Sequence, residues 1–355
     1  MPITTVWNSP AWADSQIADR LQARTTDVDD ALELATELSA LGSMIGRDTW
    51  PVLSALATIG SVDLSAARVV EPHLDAHAII DQARSTDEPA LRYADHATWG
   101  VYAASPPGTR VHAKRASATG GWTVTGAKPW CSLADRVSHA LITASRPGGR
   151  QQLFAVPMRQ ASVDPQMSHW KAHGLPHVST GTVHLNGAEA HPVGPPGWYL
   201  DRPGFAWGGV AVAAIWFGAA AAVAGALWDA ARDRAPDQIA LMHLGSCDAA
   251  LHSALLALQA AATAMDHGVP DAEKAAVLAA RTRACVAEVA ERVLTTVGHA
   301  LGPGPLAFDQ PHLQRVADLT LYLRQHHAER DQARLGALVA PPTKPAPTLV
   351  DKAAS

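Results

Sequence analysis

A chain of 355 residues is long enough to bury an extensive apolar core without covalent staples, in one large unit or in two or three domains. Its formal net charge of −5, with no run of Lys and Arg, excludes a phosphate-reading nucleic-acid surface. Charged residues make up only 17% of the chain and alanine is abundant, which fits closely packed helices better than an extended solvated surface.

The N-terminal stretch "MPITTVWNSPAWADSQ" lacks a basic segment followed by an apolar one, so no secretory signal is read there and a cytoplasmic location is expected. In "DVDDALELATELSALG", Val28, Ala31, Leu32, Ala35 and Leu38 fall on one face of a helix that Asp27 can cap and Gly42 can stop. Residues 63–83 give a second helical region, interrupted or begun afresh at Pro72. Residues 1–97 therefore read as a helical domain. From about residue 99 short runs rich in β-branched and aromatic residues ("RVHAKRA", "GWTVTGAKPW", "HALITAS", "QLFAVPM", "GTVHLNG") alternate with Gly, Pro and Asp, and they predict a β domain over 98–200.

Long helical patterns return over 201–338, broken at "DHGVPD" and "GHALGPGPLAFDQP". Residues 208–228, "GGVAVAAIWFGAAAAVAGALW", carry no charge over a length that could span a bilayer. Their Ala, Gly and Val content and the helical continuation "DAARDRAPD" predict instead a buried helix that lets its neighbours approach closely, with no membrane partner. A Pro-rich tail, 339–355, reads as disordered. Cys131, Cys247 and Cys285 are odd in number and far apart with no CxxC, so neither a disulfide framework nor a metal site is predicted. Phosphate-loop, hydrolase-elbow, zinc-helix and dinucleotide fingerprints are absent. Near the end, "LYLRQHHAERD" sets His326 and His327 side by side. At about 100° per residue a continuous helix would put His326 beside Leu319 and Tyr322, and His327 near Val316 and Thr320, with both rings at least partly buried.

The order helix, β, helix, together with "GWTVTGAKPWCSLAD", resembles the acyl-CoA dehydrogenase superfamily. The matching residues are Gly121, Trp122, Gly126, Lys128, Trp130, Cys131 and Ser132. That resemblance implies a mostly helical α+β fold with an N-terminal helical domain, a middle β barrel-like domain and a C-terminal four-helix bundle. It further implies an FAD cofactor, with Trp130 packed against the flavin ring system and Ser132 hydrogen-bonded to it. "HGLPHVSTGTVHLNG" resembles the family segment that brings a small hydroxyl residue near the flavin, which marks Ser179 and Thr180. "VLTTVGHALGPGPLAFDQP" resembles the family's Q-x-x-G-G-x-G turn, which holds the dinucleotide of a neighbouring subunit, and His299 and Gly302 stand at the glutamine and first glycine. A homodimer or homotetramer is implied.

Departures from the family pattern bear on the reaction. The turn's second glycine is Pro303, its R-D pair reads Ala317-Asp318, the thioester loop is reduced to "YAASPPGTR", and the phosphate arginine after the long helix is unrecognisable in "RDRAPDQIALMHLG". Counting eight residues from Asp318, the family's catalytic glutamate falls at His326. Three readings follow. The first is α,β-dehydrogenation of an acyl-CoA, acyl-carrier thioester or related small carbonyl compound, with His326 as the base. The second is a two-component flavin-dependent monooxygenase, and the third a non-catalytic partner subunit.

Overall fold

The structure is a computed structural model that describes residues 12–341 apart from 23–26, 87–90, 92, 117–120 and 270; most of the Pro-rich tail lies outside the described residues. Five helices come first: α1 (Ser15–Gln22), α2 (Val28–Glu37), α3 (Ser39–Gly42), α4 (Thr49–Val62) and α5 (Leu64–Ala83). Helix α2 forms as its apolar spacing predicts, burying Val28, Ala31, Leu32 and Ala35, and the Asp27 carboxylate accepts from Asp30 N at 2.8 Å. Gly42 does not stop α2, which ends at Glu37. It ends α3, where a Cβ would lie 2.6 Å from Leu74 O on α5, so close packing and not capping demands glycine there. Pro72 neither interrupts nor begins a helix. α5 runs through it, because the flanking Val69, Val70 and Leu74 are buried and their packing outweighs the lost backbone bond.

Seven strands follow: β1 (Trp99–Tyr102), β2 (Val111–Arg115), β3 (Trp122–Ser132), β4 (His139–Ser145), β5 (Gln151–Pro157), β6 (Val163–Gln166) and β7 (Thr180–Val193). Neighbours run β4-β2-β3-β7-β5, and β5 pairs back onto β4, so the sheet closes into a barrel with β1 added to β4 and β6 to β7. Alternating burial along β2 and β7 reflects one face turned to the barrel core and one to solvent.

The C-terminal helical domain comprises α6 (Trp198–Asp201), α7 (Gly204–Asp233), α8 (Gln238–Asp266), α9 (Ala272–Leu301), α10 (Gly304–Phe308), α11 (Gln310–Tyr322) and α12 (Glu329–Val339). Two of them, α7 and α8, are long and apolar enough to cross a membrane, but the apolar stretch of α7 is 83% buried, the mark of a core helix, whereas that of α8 is 22% buried. Small residues bring α7 onto α4: a Cβ on Gly218 would lie 1.8 Å from Ala57 O, and one on Gly60 would lie 2.7 Å from Ile215 O. The chain's last helical region is not continuous to residue 336. Helix α11 stops at Tyr322, a 3-10 turn covers Leu323–Gln325, and His326 and Ala328 leave helical geometry.

Because the α4–α7 contact admits no side chain, Gly218→Ala is expected to cost at least about 2 kcal/mol of stability. Urea denaturation of the variant measures this, and an unchanged midpoint would mean that the two helices are not held in this contact.

Candidate functional site

Strand β3 breaks register with β7 between Lys128 and Cys131, leaving Pro129 and Trp130 out of the ladder. Trp130 has φ 61° and its side chain is exposed. A left-handed backbone costs an L-residue about 1–2 kcal/mol, and exposing an indole forgoes its burial, so two unfavourable terms meet at one residue. Folding gains nothing by it; a planar partner would.

Beside it the chain converges on Ser132. Ser132 Oγ and Thr180 Oγ1 lie 2.9 Å apart, Arg68 Nη2 approaches Ser132 Oγ at 3.5 Å, and Tyr102 Oη donates to Ser132 O at 2.7 Å. Ser179 takes part through its carbonyl, which accepts from Leu133 N at 2.8 Å. The loop that delivers Ser179 and Thr180 is fixed from the helical domain: the buried Asp318 carboxylate accepts from Leu175 N at 2.5 Å and from Gln314 Nε2 at 2.6 Å. Trp130, Ser132, Ser179 and Thr180, predicted from separate stretches, thus meet at one corner. A hollow of about 20 Å³ there is lined by Arg68, Trp99, Tyr102, Trp130 and Ser132.

Behind that corner lies a group of buried charges. Arg68 Nη1 pairs with Glu71 Oε2 at 3.1 Å, and its guanidinium sits 5.4 Å from the Tyr322 ring centre. Burial pushes the Glu71 carboxyl up, Asp75 adds to this, and Arg68 and Arg283 oppose it, leaving the group at about 7. Arg283 of α9 lies 4.7 Å over the Trp216 ring, donates to Gly209 O at 2.9 Å and to Gln325 O at 3.3 Å. Through that last bond it positions the turn that carries His326.

His326 is half-buried and occupies a loop after the 3-10 turn. Its Nε2 lies 4.0 Å from Asp331 Oδ2, and its ring is 6.4 Å from that of Trp216. Burial lowers its pKa and Arg283 adds to this, while Asp331 opposes it. It lines a cavity of about 270 Å³ with Phe205, Gly209, Arg283, Asp331 and Arg334. This placement differs from the helical wheel, because the helix ends four residues before it. His327, expected to be partly buried, is exposed for the same reason and meets Asp331 at 3.8 Å.

Trp130 and His326 line neighbouring hollows, and the contacts Arg68–Tyr322, Tyr322–Trp216 and Trp216–His326 run from one to the other. His299 is exposed and Gly302 caps α9 with φ 64°; neither lines the two hollows. Sequence reasoning missed Arg68, Glu71 and Arg283. The signal was there: Arg68, Glu71 and Asp75 share one face of a helix in which Val69, Val70, Leu74, Ile79 and Ile80 are buried, so that face too can be drawn inside.

Residues 196–323 match the family model described as acyl-CoA dehydrogenase, C-terminal domain. Among solved structures, KijD3 in complex with FMN and dTDP-3-amino-2,3,6-trideoxy-4-keto-3-methyl-D-glucose is 18% identical, with 91% of this chain and 90% of that one covered and a TM-score of 0.77. FMN-bound TdsC from Paenibacillus sp. A11-2 is 17% identical, with 94% and 96% covered and a TM-score of 0.77. Glutaryl-CoA dehydrogenase from Mycobacterium smegmatis is 17% identical, with 92% and 94% covered and a TM-score of 0.75. No curated protein sequence matches the chain. The chain has the acyl-CoA dehydrogenase fold, and its C-terminal region matches that family's C-terminal domain.

A carboxyl whose pKa is higher in the folded than in the unfolded state stabilises the fold while protonated, and that contribution is lost as pH rises through the folded value. Glu71 is such a group. Wild type is therefore expected to lose stability relative to Glu71→Gln as pH rises from about 5 to about 8, followed by thermal denaturation; parallel pH curves would place the Glu71 carboxyl in a more polar setting than described.

Proposed function

We propose that this chain is a flavin-dependent oxidoreductase of the monooxygenase kind, acting on a polar small molecule. The observation that carries the reading is the buried Glu71 with the half-buried Arg68 and Arg283, a charged group standing between the exposed Trp130 and the half-buried His326. A fatty acyl tail seeks an apolar slot, and charged side chains in that space suit a ligand with polar groups of its own. Dehydrogenation of an acyl thioester would draw on a carboxylate base where this chain has an imidazole. Two of the neighbours support the choice: TdsC is described as a dibenzothiophene monooxygenase, and KijD3 was solved with FMN and an amino keto sugar nucleotide.

The residues present fit a flavin. A flat ring system laid on the Trp130 indole would cover its exposed surface, and the Ser132 and Thr180 hydroxyls, 2.9 Å apart, offer hydrogen bonds at the ring's edge. Bound there, the flavin supplies two-electron redox chemistry and reaction with dioxygen. His326, whose pKa burial lowers, offers a ring nitrogen to accept a proton from the substrate's reacting group. Asp331 stabilises the imidazolium that results. Glu71, at about 7, can take up or release a proton near neutral pH, while Arg68 and Arg283 orient anionic or polar substrate groups. FAD, which the family resemblance implies, would place its adenylate half toward His299 and Gly302 of a second copy. With Pro303 and an exposed His299 at that turn, the flavin head dominates binding.

Purified protein titrated with FMN and FAD, oxidised and anaerobically reduced, tests this by absorbance and fluorescence. The expected result is tighter binding of the reduced forms and FMN and FAD affinities within about threefold of each other. Trp130→Ala is expected to weaken flavin at least about tenfold, and His326→Ala to leave flavin binding intact while lowering turnover by about 10²-fold or more. Unchanged flavin affinity in Trp130→Ala would remove the cofactor from this corner. Bleaching of bound flavin by acyl thioesters would favour the dehydrogenase.

The solvent face of α8 leaves Ile239, Leu241, Met242 and Leu256 exposed, and we assign it to self-association. Light scattering is expected to give a dimer or tetramer, and Leu241→Asp combined with Met242→Asp a smaller species; a monomeric wild type would overturn this.

A further inference from the structure

A third cavity of about 320 Å³ lies between the α3–α4 connection, the C-terminal end of α5 and the start of α7, and lines neither Trp130 nor His326. Its chemistry is carried by Trp198, Trp207, Arg47, Arg202, Asp81 and Gln82. Two hydrogen-bond donors there lack acceptors: Nε of Arg202, a residue 6% exposed, and the buried indole Nε1 of Trp207. An orphaned buried donor is costly, so two on residues that line one cavity mark a place where an acceptor is missing. Both are held by glycines. Gly204 leaves the room in which Arg202 Nη1 bonds Gln82 Oε1 at 2.6 Å; a Cβ there would lie 2.3 Å from each of them. Gly46, at φ 83°, lets the Trp207 ring close on the loop, where a Cβ would lie 2.5 Å from it.

The ligand's class follows from the lining. Charged groups on the wall are Arg47, Arg202 and Asp81; Asp81 already pairs with Arg47 at 3.0 Å, so Arg202 is the unmatched cation on the wall. Behind the wall Asp75 acts on Arg202 electrostatically at a distance, and Arg202's hydrogen bond there goes to Gln82 instead. Trp198 and Trp207 contribute flat apolar faces. An apolar cavity of about 150 Å³ accommodates benzene, so this one has room for a bicyclic ring bearing a carboxylate. We infer that the cavity is a second ligand site that binds a planar aromatic carboxylic acid, its carboxylate on Arg202 and the Trp207 N–H and its ring against the two indoles. This goes beyond the flavin reading and does not rest on it.

Calorimetric titration of the full chain with quinaldate, using quinaldamide as the uncharged control, tests the site. Saturable quinaldate binding is expected, at least about tenfold tighter than quinaldamide, weakened at least about tenfold in Trp207→Leu and in Arg202→Gln, and unchanged in Trp130→Ala. Circular dichroism checks each fold, and Trp207→Leu decides alone if Arg202→Gln is unstable. No quinaldate binding, equal affinity for the amide, or indifference to Trp207→Leu would overturn the inference, as would loss of binding in Trp130→Ala, which would place the probe at the flavin corner. Failure of the flavin titrations leaves this result untouched, and the reverse also holds.

Discussion

Arg68 and Glu71 stand 3.1 Å apart inside the protein, where removing each charge from water costs several kcal/mol. Their attraction offsets that cost only with additional partners, and those partners organise the interior. Ser132 from the barrel, Tyr322 from α11 and Arg283 from α9 all approach the pair, so one electrostatic requirement joins three parts of the chain. Apolar residues of the same shape would fill this space at lower cost. Charges kept here in spite of that cost serve a ligand better than they serve the fold.

The strained Trp130 makes the same argument from the backbone. A tryptophan at φ 61° with its ring in solvent loses on conformation and on hydration at once. After it Cys131 is buried and Tyr102 secures the Ser132 carbonyl; before it the buried Lys128 donates to Thr143 Oγ1 at 2.7 Å, so the strained position is fixed from both sides. Asp318 then fixes the facing loop through Leu175 N, which makes the distance between Ser132 and Thr180 a property of the barrel and the helical domain together. Rigid support of this kind is what a site needs when its ring-stacking face and its hydrogen-bonding edge come from different strands.

How far the sequence could be read depended on the range of the forces involved. Short-range patterns were legible: the apolar spacing of α2, the alternation in the strands and the uncharged run of α7 each report their own local surroundings. The motif around Trp130 and Ser132 carried the family resemblance, and its residues do meet Ser179 and Thr180 in space. What was not legible depends on termination and on pairing at a distance. Nothing in "LTLYLRQHHAERD" is a strong breaker, yet α11 ends at Tyr322, because Arg283, 42 residues upstream of Gln325, captures the Gln325 carbonyl. That bond and the one from His327 N to the Asp331 carboxylate, at 3.0 Å, hold a turn that places His326 in a loop and His327 in solvent. Gly42 misleads for a similar reason: it looks like a stop signal, and its true partner is Leu74 O on another helix.

The two catalytic readings ask different things of a base. A base that removes a proton from carbon must overcome a large mismatch in acidity, which favours a carboxylate or imidazole pressed directly against the substrate in a dry, close-fitting cavity. His326 instead opens on a hollow of about 270 Å³, too roomy for such a fit, whose apolar wall of Phe205, Ala276, Ala279 and Ala280 is interrupted by Arg283, Asp331 and Arg334. In such a place an imidazole is better matched to a proton on nitrogen, oxygen or sulfur, whose acidity lies nearer its own. Oxygen transfer to an N–H, O–H or S–H group leaves that proton to be removed as the new bond forms, and an imidazole is suited to accept it. On that reading the half-buried Arg68 and Arg283 would act on the substrate's other polar groups, holding it without touching the reacting atom.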